Sequence, residues 1–121
     1  MIIETNFKIT KNWIEAFNEH DIEKLLSLYH EDADHYSPKL KVLQPETKGV
    51  IKGKEAMRKW WGDSFKRFPE LNYELVSLTV NNEYVMMIYK RRVKTEEETE
   101  VKEMLHLIDG AIISSAVVEN N

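Results

Sequence analysis

The stretch Trp13-Ile14-Glu15-Ala16-Phe17-Asn18-Glu19-His20-Asp21 predicts the end of one helix and the start of another. Apolar residues recur three or four positions apart between Ile9 and Phe17, which predicts an amphipathic helix over about Phe7 to Asn18. His20 then interrupts the pattern, and Asp21 is a suitable N-cap for a second helix. The apolar stripe of that second helix consists of Ile22, Leu25, Leu26 and Tyr29.

Downstream, Ala33 to Ser37 is typical of a short strand that ends at Pro38, because proline cannot donate to a sheet. Lys39 to Lys52 shows no convincing period and is predicted to be a long loop. Gly53 opens a third helix, which Pro69 ends. Its apolar positions at helical spacing are Met57, Trp60, Trp61, Phe65 and Phe68.

After Pro69 the pattern changes to that of strands, and Asp109-Gly110 is a strong signal for a tight hairpin. Three helices followed by antiparallel strands predict an α+β fold in which a curved antiparallel sheet packs on three N-terminal helices. We expect one domain over residues 1–121. The predicted strands are Leu71 to Val80, Tyr84 to Lys94, Val101 to Ile108 and Ala111 to Val118.

Composition excludes several functions. The net charge of −4 provides no general attraction for nucleic acid. The basic run from Lys90 to Lys94 is followed by four glutamates between Glu96 and Glu100, which is typical of a solvated hairpin. There is no cysteine for a disulfide or a thiolate site. No segment approaches the roughly 18 apolar residues of a membrane span, so we expect a cytoplasmic protein that does not bind membranes.

Four motifs in this order resemble the nuclear transport factor 2-like superfamily, which includes SnoaL-like and ketosteroid isomerase-like proteins. The resemblance covers nearly the whole chain and implies a cone around a mainly apolar pocket, with a homodimer as a common state. Fold alone does not decide function in such a family. The motifs are Trp13-x-x-Ala16-Phe17-Asn18-x-His20-Asp21, Leu28-Tyr29-x-x-Asp32-Ala33, Gly53-Lys54-Glu55-Ala56 and Asp109-Gly110-x-Ile112.

The catalytic groups of the known relatives are mostly missing. The resemblance puts Trp13 at the tyrosine of ketosteroid isomerases, Ser37 at their general-base aspartate and Glu103 at their second, protonated aspartate. It puts Ala116 and Asn120 at the tryptophan and aspartate that many SnoaL-like cyclases carry on the last strand. Neither mechanism transfers directly to this chain.

His35 and Glu103 are the candidate catalytic residues. Strand alternation puts His35 on one face with Ala33 and Ser37, and the resemblance turns that face into the cone. Histidine has an ordinary pKa of ~6.5 and so exchanges protons near neutrality. A structural interpretation stands beside this one, in which His35 bonds a loop and Glu103 pairs with Lys90 across the sheet.

The remaining candidates would bind the ligand. Aromatic residues on helical stripes are either core or pocket wall, and two adjacent tryptophans point about 100° apart on a helix. The segment from Lys39 to Lys48 would either close over the pocket or remain a surface loop. The ligand-binding candidates are Trp13, Tyr29, Ser37, Trp60, Trp61 and Lys90.

Neither metal nor cofactor is expected. Four residues carry side chains of the kinds that bind metal ions: His30, Asp32, Asp34 and His35. The helix end, the turn and strand alternation point these side chains in different directions, so they are not expected to share one ion. The sequence predicts a pocket that binds a small, mostly apolar or aromatic molecule, with acid/base isomerase, cyclase or dehydratase activity as one hypothesis and a non-catalytic binding or dimerisation module as the other. Because Met104, His106 and Ile108 make the opposite sheet face apolar, the predicted homodimer forms through the convex face.

Overall fold

A computed structural model of the chain describes residues 1–118. The helices are α1 (Ile2–Glu19), α2 (Ile22–Leu26), α3 (Pro38–Leu43) and α4 (Lys54–Arg67), and a 3₁₀ turn spans Pro45–Thr47. The strands are β1 (Tyr29–Tyr36), β2 (Val50–Lys52), β3 (Asn72–Val80), β4 (Tyr84–Arg92), β5 (Thr99–Ile108) and β6 (Ala111–Val117).

The six strands form one curved, unclosed sheet in the order β2-β1-β6-β5-β4-β3. The predicted α+β fold class is confirmed. Strands β3 to β6 are the expected antiparallel meander. One detail differs, because β1 joins the sheet by parallel pairing with β6. The first and last strands therefore lie side by side in the middle of the sheet.

Helix α1 begins earlier than predicted and packs its apolar stripe on the sheet. Trp13 and Phe17 are buried, and the Trp13 ring stacks 5.8 Å from the Tyr89 ring, measured between centroids. The helix ends at His20, whose backbone is left-handed and whose Nε2–H donates to the Leu71 carbonyl at 2.8 Å. The Asp21 carboxylate accepts from an amide of the next turn, which confirms the predicted cap of α2.

Two predictions about the segment between the second and third predicted helices are wrong. The strand starts at Tyr29, not Ala33, because its residues pair with β6. The predicted loop from Lys39 to Lys52 holds α3, the 3₁₀ turn and β2. A serine cap followed by proline starts α3, since Ser37 Oγ accepts from the Lys39 amide at 3.2 Å.

The hydrophobic core lies between the helices and the inner face of the sheet, and α4 adds Met57, Trp61 and Phe65 to it. Ion pairs connect the two arms of the β4–β5 hairpin, for example Arg91 Nη1 with Glu96 Oε1 at 3.0 Å. They agree with the solvated hairpin that the charge pattern predicts. Within residues 1–118, no helix has the length and apolarity needed to cross a membrane.

Candidate functional site

A cavity of about 580 Å³ lies between the inner face of the sheet and the helices. Residues from α1, α3, α4 and the strands β1, β3, β4, β5 and β6 line it. Most of its wall is aromatic or aliphatic, as in pockets that hold small organic molecules. The aromatic lining residues are Phe17, Trp60, Trp61, Phe68, Tyr73 and Tyr89.

His35 and Glu103 meet at this cavity although they belong to strands that are not neighbours. His35 is on β1 and Glu103 on β5, and β6 separates the two strands. Both side chains turn inward and are almost completely buried, with exposed fractions of 3% and 2%. His35 Nδ1 lies 3.9 Å from Glu103 Oε2, which is too long for a direct hydrogen bond.

The Glu103 carboxyl is only partly satisfied. Its Oε1 accepts a hydrogen bond from the Tyr89 hydroxyl at 2.8 Å. Its Oε2 is buried and has no hydrogen-bond partner among residues 1–118. Burial raises the pKa of Glu103 to about 7, and the Tyr89 hydrogen bond opposes part of that rise. This carboxyl therefore gives up or takes a proton near neutral pH.

His35 does not have the ordinary histidine pKa that the sequence interpretation assigned to it. Burial lowers the pKa of His35 to about 3, and a hydrogen bond to the Ser115 backbone opposes part of that fall. The imidazole is consequently neutral at physiological pH. Of the two predicted acid/base residues, Glu103 has the pKa suited to proton exchange, and His35 is an uncharged neighbour.

A chain of hydrogen bonds connects the core to the imidazole of His35. Trp13 Nε1 donates to Tyr29 Oη at 3.1 Å, and the Tyr29 hydroxyl donates to Ser115 Oγ at 2.9 Å. Since an indole nitrogen can only donate, the Tyr29 proton is directed to Ser115. Ser115 Oγ is in turn hydrogen-bonded to His35 Nδ1, 2.8 Å away. The chain therefore holds the His35 ring in place from the core side.

Most of the sequence matches a known protein family. A family model for the SnoaL-like domain matches residues 10–114. The chain belongs to the SnoaL-like family. Among curated proteins, none matches this SnoaL-like sequence.

Solved structures show the same fold at low sequence identity. A SnoaL-like protein of unknown function from Burkholderia thailandensis is 22% identical, with a TM-score of 0.85 over 98% of this chain and 96% of that one. A candidate polyketide cyclase from Sinorhizobium meliloti is 16% identical, with a TM-score of 0.77 over 92% and 94%. A candidate ketosteroid isomerase from Kribbella flavida is 14% identical, with a TM-score of 0.75 over 98% and 82%.

The structure brings only part of the predicted ligand-binding set to the cavity of this SnoaL-like domain. Ser37, Trp60 and Trp61 line it. Trp13 and Tyr29 do not, because they lie in the core, where they form the hydrogen-bond chain to Ser115.

Lys90 is also absent from the cavity lining, and the prediction that it binds the ligand is not supported by its position. Strand alternation turns it away from the face that carries Tyr89. In the sheet it stands opposite Glu100, whereas Glu103 stands opposite Met87. The structural interpretation in which Glu103 pairs with Lys90 is therefore wrong.

Sequence reasoning missed several cavity residues, above all Tyr89, which binds Glu103. Inward alternation of Val85, Met87 and Tyr89 along β4 was a usable signal. Arg91 follows Tyr89 in the same alternation, lines the cavity and was missed as well.

Ala116 is absent from the cavity lining, and the other metal candidates do not gather around His35. Ala116 is half-buried, and Asn120 lies outside the described residues. Asp34 faces away from His35 and accepts from Ser114 Oγ at 2.7 Å. His30 Nδ1 accepts a hydrogen bond from the backbone amide of Asp32. Within residues 1–118, no three acidic or histidine side chains are grouped to hold a metal ion.

Proposed function

We propose that this SnoaL-like protein binds a small, mostly apolar or aromatic molecule in its cavity and that Glu103 serves there as acid/base group for an isomerisation, cyclisation or dehydration. The main support is Glu103 Oε2, a buried carboxyl oxygen at the cavity that has no hydrogen-bond partner among the described residues. An unpaired buried oxygen costs stability, and groups of this kind are concentrated at functional sites.

The surroundings of Glu103 suit proton transfer to and from carbon. When ionised, its carboxylate abstracts a proton from a substrate atom beside Oε2 and later returns it to another atom, so that no external proton is consumed. Tyr89 holds the other oxygen and limits rotation of the group. His35 contributes a neutral N–H, which adds hydrogen bonding without placing a positive charge beside the base.

The comparisons support the reaction class and not a substrate. Two of the similar structures are candidates for a polyketide cyclase and a ketosteroid isomerase. Both reaction types move protons in an apolar site, as Glu103 is placed to do. The fold is shared with proteins of unknown function, so the carboxyl and its pocket carry the proposal.

A generic proton-abstraction probe tests the base without knowledge of the substrate. 5-Nitrobenzisoxazole loses its ring C–H proton to a base while its N–O bond breaks, which releases a coloured phenolate. We expect the wild type to exceed Glu103→Gln by about 10²-fold in kcat/KM. The wild-type rate should rise with pH and level off above the Glu103 pKa of about 7. Glu100→Gln, on the same strand but exposed, is the matched control.

Equal rates for wild type and Glu103→Gln, with the probe shown to bind, would remove the catalytic half of this proposal. They would favour the second candidate, a non-catalytic binding module. One observation supports that candidate: Ser37, at the position of a general base in ketosteroid isomerases by resemblance, is used to cap α3.

We also propose that the protein is a homodimer through the convex face of the sheet. That face carries Met86 beside Met104, and Tyr84 stacked on His106 with ring centroids 4.4 Å apart. Ile108 adds an apolar side chain that is 46% exposed. Met104→Glu should shift the protein to the monomer in size-exclusion chromatography with light scattering. An unchanged mass would exclude this face as the interface.

A further inference from the structure

Three cationic side chains from different elements converge on the solvent side of the cavity. Lys39 is on α3, Arg67 ends α4, and Arg91 lies on β4, and all three line the cavity. Glu96 is the one acidic side chain that the described lining adds on this side. Three positive charges against one negative charge leave this cationic rim at +2, on a chain whose net charge is −4.

The members of the rim are close enough to repel one another. The pKa of Lys39 is lowered, first because the surrounding wall removes water from its ammonium group and next because of the positive charge of Arg91. Arg67 acts in the same direction, and Glu96 acts against both. Like charges held together at a partly dry surface are unfavourable, and a bound anion relieves that repulsion.

An apolar surface lies directly beside these charges. The guanidinium carbons of Arg67 and Arg91 lie 5.7 and 5.4 Å from the centre of the Phe68 ring. Arg91 also pairs with Glu96, whereas Lys39 and Arg67 have no carboxylate within ion-pair distance among residues 1–118. Guanidinium groups bind carboxylate and sulfonate oxygens in pairs of hydrogen bonds. The rim thus joins anion recognition to the aromatic wall of the cavity.

We infer that the cavity takes an aromatic acid, whose anionic group binds Lys39, Arg67 and Arg91 at the rim while its ring system extends inward to Glu103. The inference rests on the proposed function and adds the class and the orientation of the ligand. The orientation follows from charge, because an ionised Glu103 repels an anion from the inner end while the rim attracts it. The atom next to Glu103 Oε2 therefore belongs to the apolar part of the molecule.

Two fluorescent dyes with the same ring system separate the rim from the cavity. 1-Anilinonaphthalene-8-sulfonate carries the anion, and N-phenyl-1-naphthylamine lacks it. We expect Arg67→Gln and Lys39→Gln each to raise the Kd of the sulfonate about tenfold and to leave the Kd of the neutral dye within about twofold. Added salt should weaken binding of the sulfonate alone.

Matched controls are Lys66→Gln on α4 and Lys41→Gln on α3, which remove nearby lysines that do not line the cavity. If the controls weaken the sulfonate as much as the rim variants do, the attraction is general and the inference is wrong. If the neutral dye binds but the rim variants change neither dye, the acidic-ligand inference fails while the proposed pocket stands. If neither dye binds the folded wild type, the pocket proposal fails together with the inference.

Discussion

Replacement of Glu103 by glutamine should make the protein more resistant to unfolding at alkaline pH than at acidic pH, relative to the wild type. The pKa of Glu103 rises from 4.5, its ordinary value, to about 7 on folding because burial disfavours the carboxylate. The protonated carboxyl is therefore the form that the fold tolerates. Glutamine keeps the shape and an oxygen for the Tyr89 hydroxyl, and it never ionises.

The sign and size follow from proton linkage. A group whose pKa is raised in the folded state contributes stability that is complete below pH 4.5 and is lost as pH rises through about 7. At 1.36 kcal/mol for each unit, the loss amounts to about 3 kcal/mol. The difference in unfolding free energy between Glu103→Gln and wild type should shift by that amount in favour of the variant between pH 4 and pH 8.

Urea denaturation of both proteins at pH 4, 5, 6, 7 and 8 measures this difference. The wild-type curve alone would mislead, because the lowered pKa of His35 gives an opposite slope between pH 6.5 and about 3. Subtraction removes the His35 contribution, which both proteins share. Glu100→Gln, at an exposed position on β5, should show no such trend. A difference that stays constant over this pH range would refute the buried, proton-binding carboxyl.

The other predictions concern stability. Tyr29→Phe leaves an indole N–H without its acceptor and should lower the free energy of unfolding by about 1–3 kcal/mol in urea, whereas Tyr84→Phe, at a part-exposed ring, should stay within about 0.5 kcal/mol. Gly49→Ala should cost about 1–3 kcal/mol, because Gly49 has φ +90° and an added Cβ would stand 2.6 Å from Tyr36 Cε1. Gly62→Ala, in the middle of α4 with open space around it, should instead raise the free energy of unfolding by about 0.5–1 kcal/mol and so raise the melting temperature. If both alanines destabilised equally, the contact with Tyr36 would not explain the effect at Gly49.

The elements that sequence predicts best are those whose signal is local. Asp21 caps its helix by accepting a hydrogen bond from the amide three residues further on. Asp109 and Gly110, both with positive φ, form the tight turn between β5 and β6. Strand alternation likewise put His35 on one face with Ala33 and Ser37, whereas the family resemblance turned that face inward and drew attention to Glu103. The helix cap, the hairpin turn and the strand face depend on periodicity or backbone preference over a few residues.

The features that sequence reasoning missed depend on pairing between distant residues. Tyr29 fits a helical stripe as well as a strand, and only its partner Ile112 on β6 makes it a strand residue. Tyr89 meets Glu103 because the β4–β5 register places it two positions from the residue opposite Glu103, within diagonal reach. That register depends on the long hairpin between the strands, whose length no local pattern specifies.

Burial changed the chemical interpretation more than position did. His35 was the natural base by its ordinary pKa, and the sequence gives no measure of how much water its ring loses. The folded protein moves the pKa of His35 and the pKa of Glu103 in opposite directions through the same desolvation. The order of the two candidates as proton carriers is therefore a property of the fold.

The parallel pairing of β1 with β6 has a consequence for how the protein is made. His35 is synthesised 80 residues before Ser115, yet their strands are neighbours in the finished sheet. Contacts between residues so far apart in sequence slow folding, because a long loop must close before they form. On the ribosome, β1 and β2 have no route into the sheet until β6 has emerged. The pocket is completed only after β6 has been synthesised.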